Sequence, residues 1–125
     1  MINIFGTRKN LGKYGEDLAR KYLKKKNLIF LDKNFVFMRC EIDLIFLDKK
    51  NETVIFVEVK TRMNKNYGEP EESITSFKQR NIQKAAQGFI LKNKMYENFN
   101  MRFDTISILF NEKKEYLINH IAEAF

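Results

Sequence analysis

The chain predicts a small α/β protein in which a mixed central sheet of about five strands is flanked by two main helices. Three observations point there. Apolar residues recur at three- and four-residue intervals over residues 11–27 and again over 77–90, as one face of a helix requires. Runs rich in β-branched, aliphatic and aromatic residues occupy 40–47, 53–61, 101–110 and 115–121, the signature of strands. The chain has 125 residues, 44% of them hydrophobic, enough for one buried core without disulfides.

In chain order, Leu11, Tyr14, Leu18, Tyr22 and Leu23 give the first helix its apolar stripe. Lys21, Lys24, Lys25 and Lys26 gather towards its end, where the helix dipole favours cations. Residues 28–37 hold one or two short strands, with Asp32, Lys33 and Asn34 predicting a turn in the middle. From 40 to 47 the residues alternate, Glu41, Asp43 and Ile45 on one side and Ile42, Leu44 and Phe46 on the other. A polar turn over 48–52 leads to a strand over 53–61 in which Val54, Phe56, Glu58 and Lys60 share a face, so the two strands read as a hairpin. Residues 63–75, with Tyr67, Gly68, Pro70 and three acids, predict a surface loop. Ser76, three residues before Gln79, predicts a capping box at the start of the second helix. Phe77, Ile82, Ala85, Ala86, Phe89 and Ile90 form its buried stripe, and it ends near Asn93 or Lys94. Two more strands follow, over 101–110 and 115–121, around a polar turn.

Composition narrows the setting. Five Gly and one Pro leave no room for a long linker, so one domain over 1–125 is expected. A single cysteine, Cys40, cannot close an internal disulfide or build the usual zinc site, which suits a reducing, cytoplasmic compartment. Gly6, Arg8, Lys9 and Asn10 interrupt the apolar start before it could serve as a signal-peptide core. No apolar run approaches the roughly 20 residues that span a bilayer, so no membrane role is expected. The net charge of +7 is concentrated: residues 1–30 hold eight Lys/Arg against two acids. Such a segment suits a polyanion such as nucleic acid, and equally a solvated helix face.

The chemistry concentrates on Asp43, Glu58 and Lys60. A two-residue step along a strand returns to the same face, so Glu58 and Lys60 project together, and Asp43 joins them if the hairpin pairs about its turn. Two carboxylates held together in an apolar sheet repel each other, and a hard divalent cation, Mg²⁺ or Mn²⁺, removes that cost. Such an ion polarises a phosphate and acidifies a bound water, while a lysine steadies the charge that develops. A plain cross-strand ion-pair cluster would use the same residues. Glu16, beside the first helix's stripe, could lean over the sheet or make a dipole contact, and Gln79 could reach a phosphate or simply cap its helix. His120 is expected to be a surface or packed histidine, and Tyr14, Tyr67 and Phe77 to pack in the core or rim rather than stack on bases.

With these residues in place, the chain resembles the YraN-like family of small bacterial proteins, which is similar in turn to the PD-(D/E)XK nuclease superfamily and its archaeal Holliday-junction resolvases. The likeness runs nearly end to end. It rests on Gly12, Gly15, Glu16 and Ala19, on Glu41-Ile42-Asp43-Leu44-Ile45, and on Phe56-Val57-Glu58-Val59-Lys60-Thr61-Arg62. Lys78-Gln79, Arg102-Phe103-Asp104, His120-Ile121 and Ala124-Phe125 complete it. The resemblance implies a restriction-endonuclease-like core, Asp43 and Glu58 as metal ligands, Lys60 as the catalytic lysine, Glu16 as an accessory acid and Gln79 as a site residue. Cys40 stands where the family usually has Gly, and Val36 where it commonly has Arg.

The expectation is a Mg²⁺-dependent endonuclease acting on structured or branched DNA, with Lys13, Lys24, Lys25, Lys26, Arg62 and Lys78 meeting the phosphate backbone. Cutting both strands of a duplex would suit a homodimer. A nucleic-acid-binding module with the same fold but no turnover, and a protein-interaction domain, are the competing readings.

Overall fold

The computed structural model describes residues 8–63 and 74–125. The elements run α1 (Arg8–Lys24), β1 (Ile29–Phe37), β2 (Cys40–Asp48), β3 (Thr53–Met63), α2 (Ser76–Lys92), a short 3₁₀ turn (Lys94–Tyr96), β4 (Asn100–Phe110) and β5 (Tyr116–Ile121). The five strands form one mixed sheet in the order β1-β2-β3-β4-β5. All pairs are antiparallel except β3 and β4, which run parallel in unbroken register from Thr53↔Asn100 to Met63↔Phe110. A parallel pair needs a long crossover, and α2 provides it.

Each helix covers one face. Ile82, Ala85, Ala86 and Phe89 of α2 pack on Ile42, Ile45, Leu47, Val54 and Phe56, whereas Ala19 and Leu23 of α1 pack on Leu44, Phe46, Ile55, Val57, Ile106 and Ile108. Burial on both sides explains why β2 and β3 read as nearly continuous apolar runs. The chain end is tied down as well: Ala124 N–H donates to the Phe103 carbonyl at 2.7 Å, and the Phe125 ring stacks on Phe103.

Four local expectations are corrected. Ile42 does not share a face with Leu44 and Phe46: it packs with Ile45 under α2 while they lie under α1, so the alternation of β2 breaks at Asp43. Asp32, Lys33 and Asn34 make no turn. They lie within one strand, β1, whose register slips between Phe30 and Asp32 and in which Asn34 takes a left-handed φ of 51°. A bulge bends a strand with the same polar residues that elsewhere end one. The turn falls instead at Met38-Arg39, both left-handed, a two-residue connection without its usual Asn or Gly. At α2 the cap is Thr75, whose hydroxyl accepts from Lys78 N–H at 3.1 Å, so Ser76 and Gln79 form no capping box. Phe77 is 67% exposed and leaves the buried stripe.

Two close approaches hold the helices down. A Cβ on Gly15 would overlap the Thr61 side chain, and one on Gly88 would overlap the Phe37 ring. Both glycines let backbone lie against a neighbouring side chain. Away from them, β4 and β5 share a polar node. Asp104, fully buried, accepts from Arg102 Nε and Nη2 at 2.9 and 2.8 Å and from Glu123 N–H at 3.2 Å, and pairs with His120 Nε2 at 2.8 Å. His120 is thus a packed histidine, with the Tyr22 hydroxyl 3.4 Å from its Nδ1.

Two stability predictions follow from this packing. Gly15→Ala is expected to cost ~1–3 kcal/mol in urea unfolding, because α1 must lift from β3, and Thr61→Ala in the same chain recovers part of the loss. Asp104→Ala strands Arg102 in a partly buried site and should cost ~3–5 kcal/mol by the same measurement. Burial alone would raise the Asp104 carboxyl, but hydrogen bonds from His120 and Arg102 hold it below the usual range. Its contribution is therefore present above the ordinary aspartate value and is lost as the pH falls through its lower folded value.

Candidate active site

The antiparallel ladder between β2 and β3 runs from Asp48↔Thr53 to Leu44↔Val57 and stops there. The next two residues in register would be Asp43 and Glu58. At this seam a side chain takes over from the backbone: Val59 N–H donates to Asp43 Oδ2 at 2.8 Å. The substitution keeps a partly buried donor satisfied where the strands part. It also points the Asp43 carboxylate at β3, beside Glu58.

Glu58 lies on the α2 face of the sheet, in phase with Val54 and Phe56, and is buried. The two carboxyl groups lie close enough to govern each other's protonation, and a hydrogen bond between them requires a proton on one. Burial, then the charge of Asp43, pushes Glu58 up to about 8, with Lys78 opposing; Asp43 is also raised, by burial first, against the bond from Val59. Two acids held this close in a buried seam cannot both ionise cheaply.

A cation reaches this pair from α2. Lys78 Nζ lies 3.5 Å from Glu58 Oε1, with its side chain 53% exposed. Sequence spacing could not find this pair, since twenty residues and a crossover separate the two. Lys60 is half-buried, two residues along β3 on the Glu58 face and level with Ser107 of β4. Arg62 follows on the same face and is exposed.

Glu16 approaches from the α1 side. It is half-buried in a groove of about 610 Å³ whose lining includes Lys13, Arg20, Lys33 and Glu41. Burial, and then the charges of Asp43, Glu41 and Asp17, raises it to about 7, while Lys33 opposes. The structure thus brings Glu16 into the electrostatic field of Asp43, together with Glu41, which had no expected role. Gln79 is not turned to the carboxylates: its Nε2 donates to the Ile74 carbonyl at 2.9 Å, a helix-start contact. Lys24, Lys25 and Lys26 are exposed at the far end of α1, about 12 Å along the axis from Glu16 at the usual helical rise. Lys24 and Arg20 sit over the Phe30 ring and Lys26 over Tyr22, so part of the basic segment is held against aromatic faces. Tyr14 packs on Phe110, and Tyr67 lies outside the described residues.

The donor set can be tested against a metal. Among the described residues, no three His, Cys, Asp or Glu side chains converge as a cage. Asp43 and Glu58 offer adjacent, hard oxygen donors. That fits Mg²⁺, which keeps several waters and fills its sphere from a phosphate, and does not fit a closed structural zinc site. No helix among the described residues is long and apolar enough to cross a membrane.

Comparison with known proteins places this arrangement in a family. The model described as "Uncharacterised protein family UPF0102" matches residues 15–108, a span that includes Glu16, Asp43, Glu58, Lys60 and Lys78. A UPF0102 protein of Clostridium beijerinckii is 48% identical over 118 residues, which is 94% of each chain. Another from Clostridium perfringens is 41% identical over 118 residues, again 94% of each, and one from Alkaliphilus oremlandii is 42% identical over 94% of this chain and 98% of its own. The chain therefore belongs to the UPF0102 family, the YraN-like proteins that its Glu41–Ile45 and Phe56–Arg62 motifs resemble.

Proposed function

We propose that the protein is a cytoplasmic, Mg²⁺-dependent endonuclease that hydrolyses phosphodiester bonds in structured or branched DNA. The observation that carries the proposal is the contact between the Asp43 and Glu58 carboxyls where β2 and β3 part. Without metal a proton on Glu58 satisfies that contact up to about pH 8, and a bound divalent cation would take the proton's place. Asp43 and Glu58 would hold the ion, which when bound polarises the scissile phosphate and acidifies a coordinated water. Val59 N–H orients Asp43 for this work. Lys60 would place its ammonium against the phosphoryl oxygens as negative charge builds on them. Glu16, raised to about 7, can accept or return a proton near neutral pH. Mn²⁺ would serve in place of Mg²⁺, since both take oxygen ligands.

Lys78 touches Glu58, Lys13 lines the groove of Glu16 with Arg20 and Lys33, Arg62 follows Lys60 along β3, and Lys24 to Lys26 extend the basic surface along α1. A homodimer would supply two such centres for the two strands of a duplex. The second reading, a binding module without turnover, is favoured by one observation: Lys78 already offsets Glu58 without a metal.

Purified protein incubated with labelled junction, flap and duplex DNA and Mg²⁺ should cleave the branched forms. Asp43→Asn and Lys60→Ala should each lose about a hundredfold or more of the rate, by the magnitude typical of removing one charge-stabilising group. Cleavage that survives both substitutions would sink the enzyme reading. Under the binding-module reading, Asp43→Asn binds at least as well as the unmodified chain and nothing is cut.

A pH series tests the carboxylate pair directly. Because Glu58 holds its proton up to about 8 in the folded chain, against an ordinary value of 4.5, the folded state binds more protons across that window. Stability without metal should therefore fall as the pH rises from the lower value through the upper one. Millimolar Mg²⁺ should flatten the fall by binding the folded state, and Glu58→Gln should remove most of the pH dependence and the metal response together. Thermal unfolding followed by circular dichroism reads all three.

A further inference from the structure

On the α2 face of the sheet the side chains of β3, β4 and β5 fall into rows. In register, Glu58 stands beside Thr105 and Ile121, and Lys60 beside Ser107 and Asn119. Residues paired across neighbouring strands project to the same side, so each row crosses the sheet from the carboxylate seam to the β5 edge. Ile106 and Ile108, one step out of phase, pack under α1 on the opposite face. α2 itself packs over β1 and β2, and the far end of the rows is open, with Asn119 exposed and Leu117 beside it 74% exposed. Three of these side chains carry hydrogen-bonding groups. Thr105 is only 9% exposed and Ser107 is half-buried, yet neither hydroxyl bonds to another described residue, and nor does the Asn119 amide. A nearly buried hydroxyl without a partner costs stability, and such groups collect at binding sites. The side chains that β4 and β5 present here, Thr105, Ser107, Leu109, Leu117, Asn119 and Ile121, include no charge.

Hydroxyl and amide groups hold phosphate oxygens without adding charge, and contacts of this kind fix the register of a nucleic-acid strand. Neutrality matters at this place. A lysine in the rows would pair with the carboxylates, as Lys78 does with Glu58 at 3.5 Å, whereas a hydroxyl leaves them free for a cation. The groove beside Glu16 sets Asp17 and Glu41 among its cations, so a phosphate strand meets repulsion there that these rows lack. We propose that Thr105, Ser107 and Asn119 form the track on which the substrate strand lies, holding the phosphates next to the one under attack, so that the strand leaves Lys60 across β4 and β5. The inference rests on the nuclease reading above and adds the path of the substrate to it. From Lys60 to Asn119 is about 10 Å at the usual spacing between strands, which matches the rise of roughly three nucleotides at ~3.4 Å each. The unbroken register of β3 with β4 holds the track rigidly against the seam.

The test uses the full chain, its Thr105→Val, Ser107→Ala, Ser107→Thr, Asn119→Ala and Asn119→Asp variants, and a labelled flap oligonucleotide. Binding read by fluorescence anisotropy without divalent metal should weaken about threefold to tenfold in Thr105→Val, Ser107→Ala and Asn119→Ala, and recover in Ser107→Thr. Asn119→Asp should bind more weakly than Asn119→Ala, because its charge would face the phosphates. In Mg²⁺, Ser107→Ala should raise KM by the same factor and leave kcat within about twofold. Methylphosphonates placed one at a time along the oligonucleotide should find a position at which the unmodified chain binds as weakly as Ser107→Ala and Ser107→Ala loses nothing further. Unchanged binding in all the variants, additive losses at every methylphosphonate position, or equal affinities of Asn119→Asp and Asn119→Ala would overturn the track. So would a shift of Asn119→Ala to a smaller assembly in size-exclusion chromatography, which would assign the face to a second copy of the chain. The expected losses of binding without cleavage by the unmodified chain would remove the nuclease reading and leave the track standing. Cleavage by the unmodified chain and by every one of these variants at the same KM would do the reverse, and no DNA binding by the unmodified chain would end both.

Discussion

One hydrogen bond organises the centre of this protein. Where β2 and β3 stop pairing, Asp43 accepts the Val59 N–H that the opposite strand's backbone would otherwise have taken. The bond ends the ladder, orients Asp43 towards β3, and brings its carboxyl against that of Glu58. Without that change of partner, the strands would continue as an ordinary hairpin and the two acids would be a plain cross-strand pair. The cost is electrostatic, since burial raises both groups and the charge of Asp43 raises Glu58 further. Such a cost at the middle of an otherwise apolar sheet marks the place where the fold gives up stability for something else.

The remainder of the structure keeps that seam rigid and open. Parallel β4 supports β3 along its whole length, and α1 and α2 cover the two faces, α1 lying close enough that Gly15 has no room for a side chain against Thr61. Asp104 joins Arg102, His120 and the backbone of Glu123, tying the last strand and the chain end to β4. The two buried acids of β3 and β4 therefore do opposite things. Asp104 is surrounded by donors and held ionised, while Glu58 meets another acid and the half-exposed Lys78 and is held protonated. Neighbours, more than depth, decide the state of a buried carboxyl.

Charge on the surface divides in the same manner. The exposed cations at the end of α1 lie partly against aromatic rings and far along the helix from Glu16, whereas Lys78 reaches the carboxylate pair from the other face. A count of charge by segment locates the first group and overlooks the second. The groove beside Glu16 mixes Lys13, Arg20 and Lys33 with acids, so its field is balanced by local pairs rather than uniformly positive.

What the sequence determined by itself was everything that periodicity and local chemistry encode. The two amphipathic helices, the runs of β2 and β3, the turn at 48–52 and the shared face of Glu58 and Lys60 follow from spacings of two and of three to four residues, which the backbone geometry enforces. The resemblance carried by Glu41–Ile45 and Phe56–Arg62 added the family. Tertiary structure alone decided the rest. Asn34 sits in a bulged strand because pairing with β2 outweighs its turn preference, and Thr75 caps α2 because the chain enters the helix one residue earlier than Ser76 suggests. Phe77 faces solvent because the helix turns that position away from the sheet. The Lys78 contact with Glu58, the Asp43 bond to Val59 and the field of Asp43 on Glu16 join residues distant in the chain, and no local pattern specifies which distant groups a folded sheet will bring together.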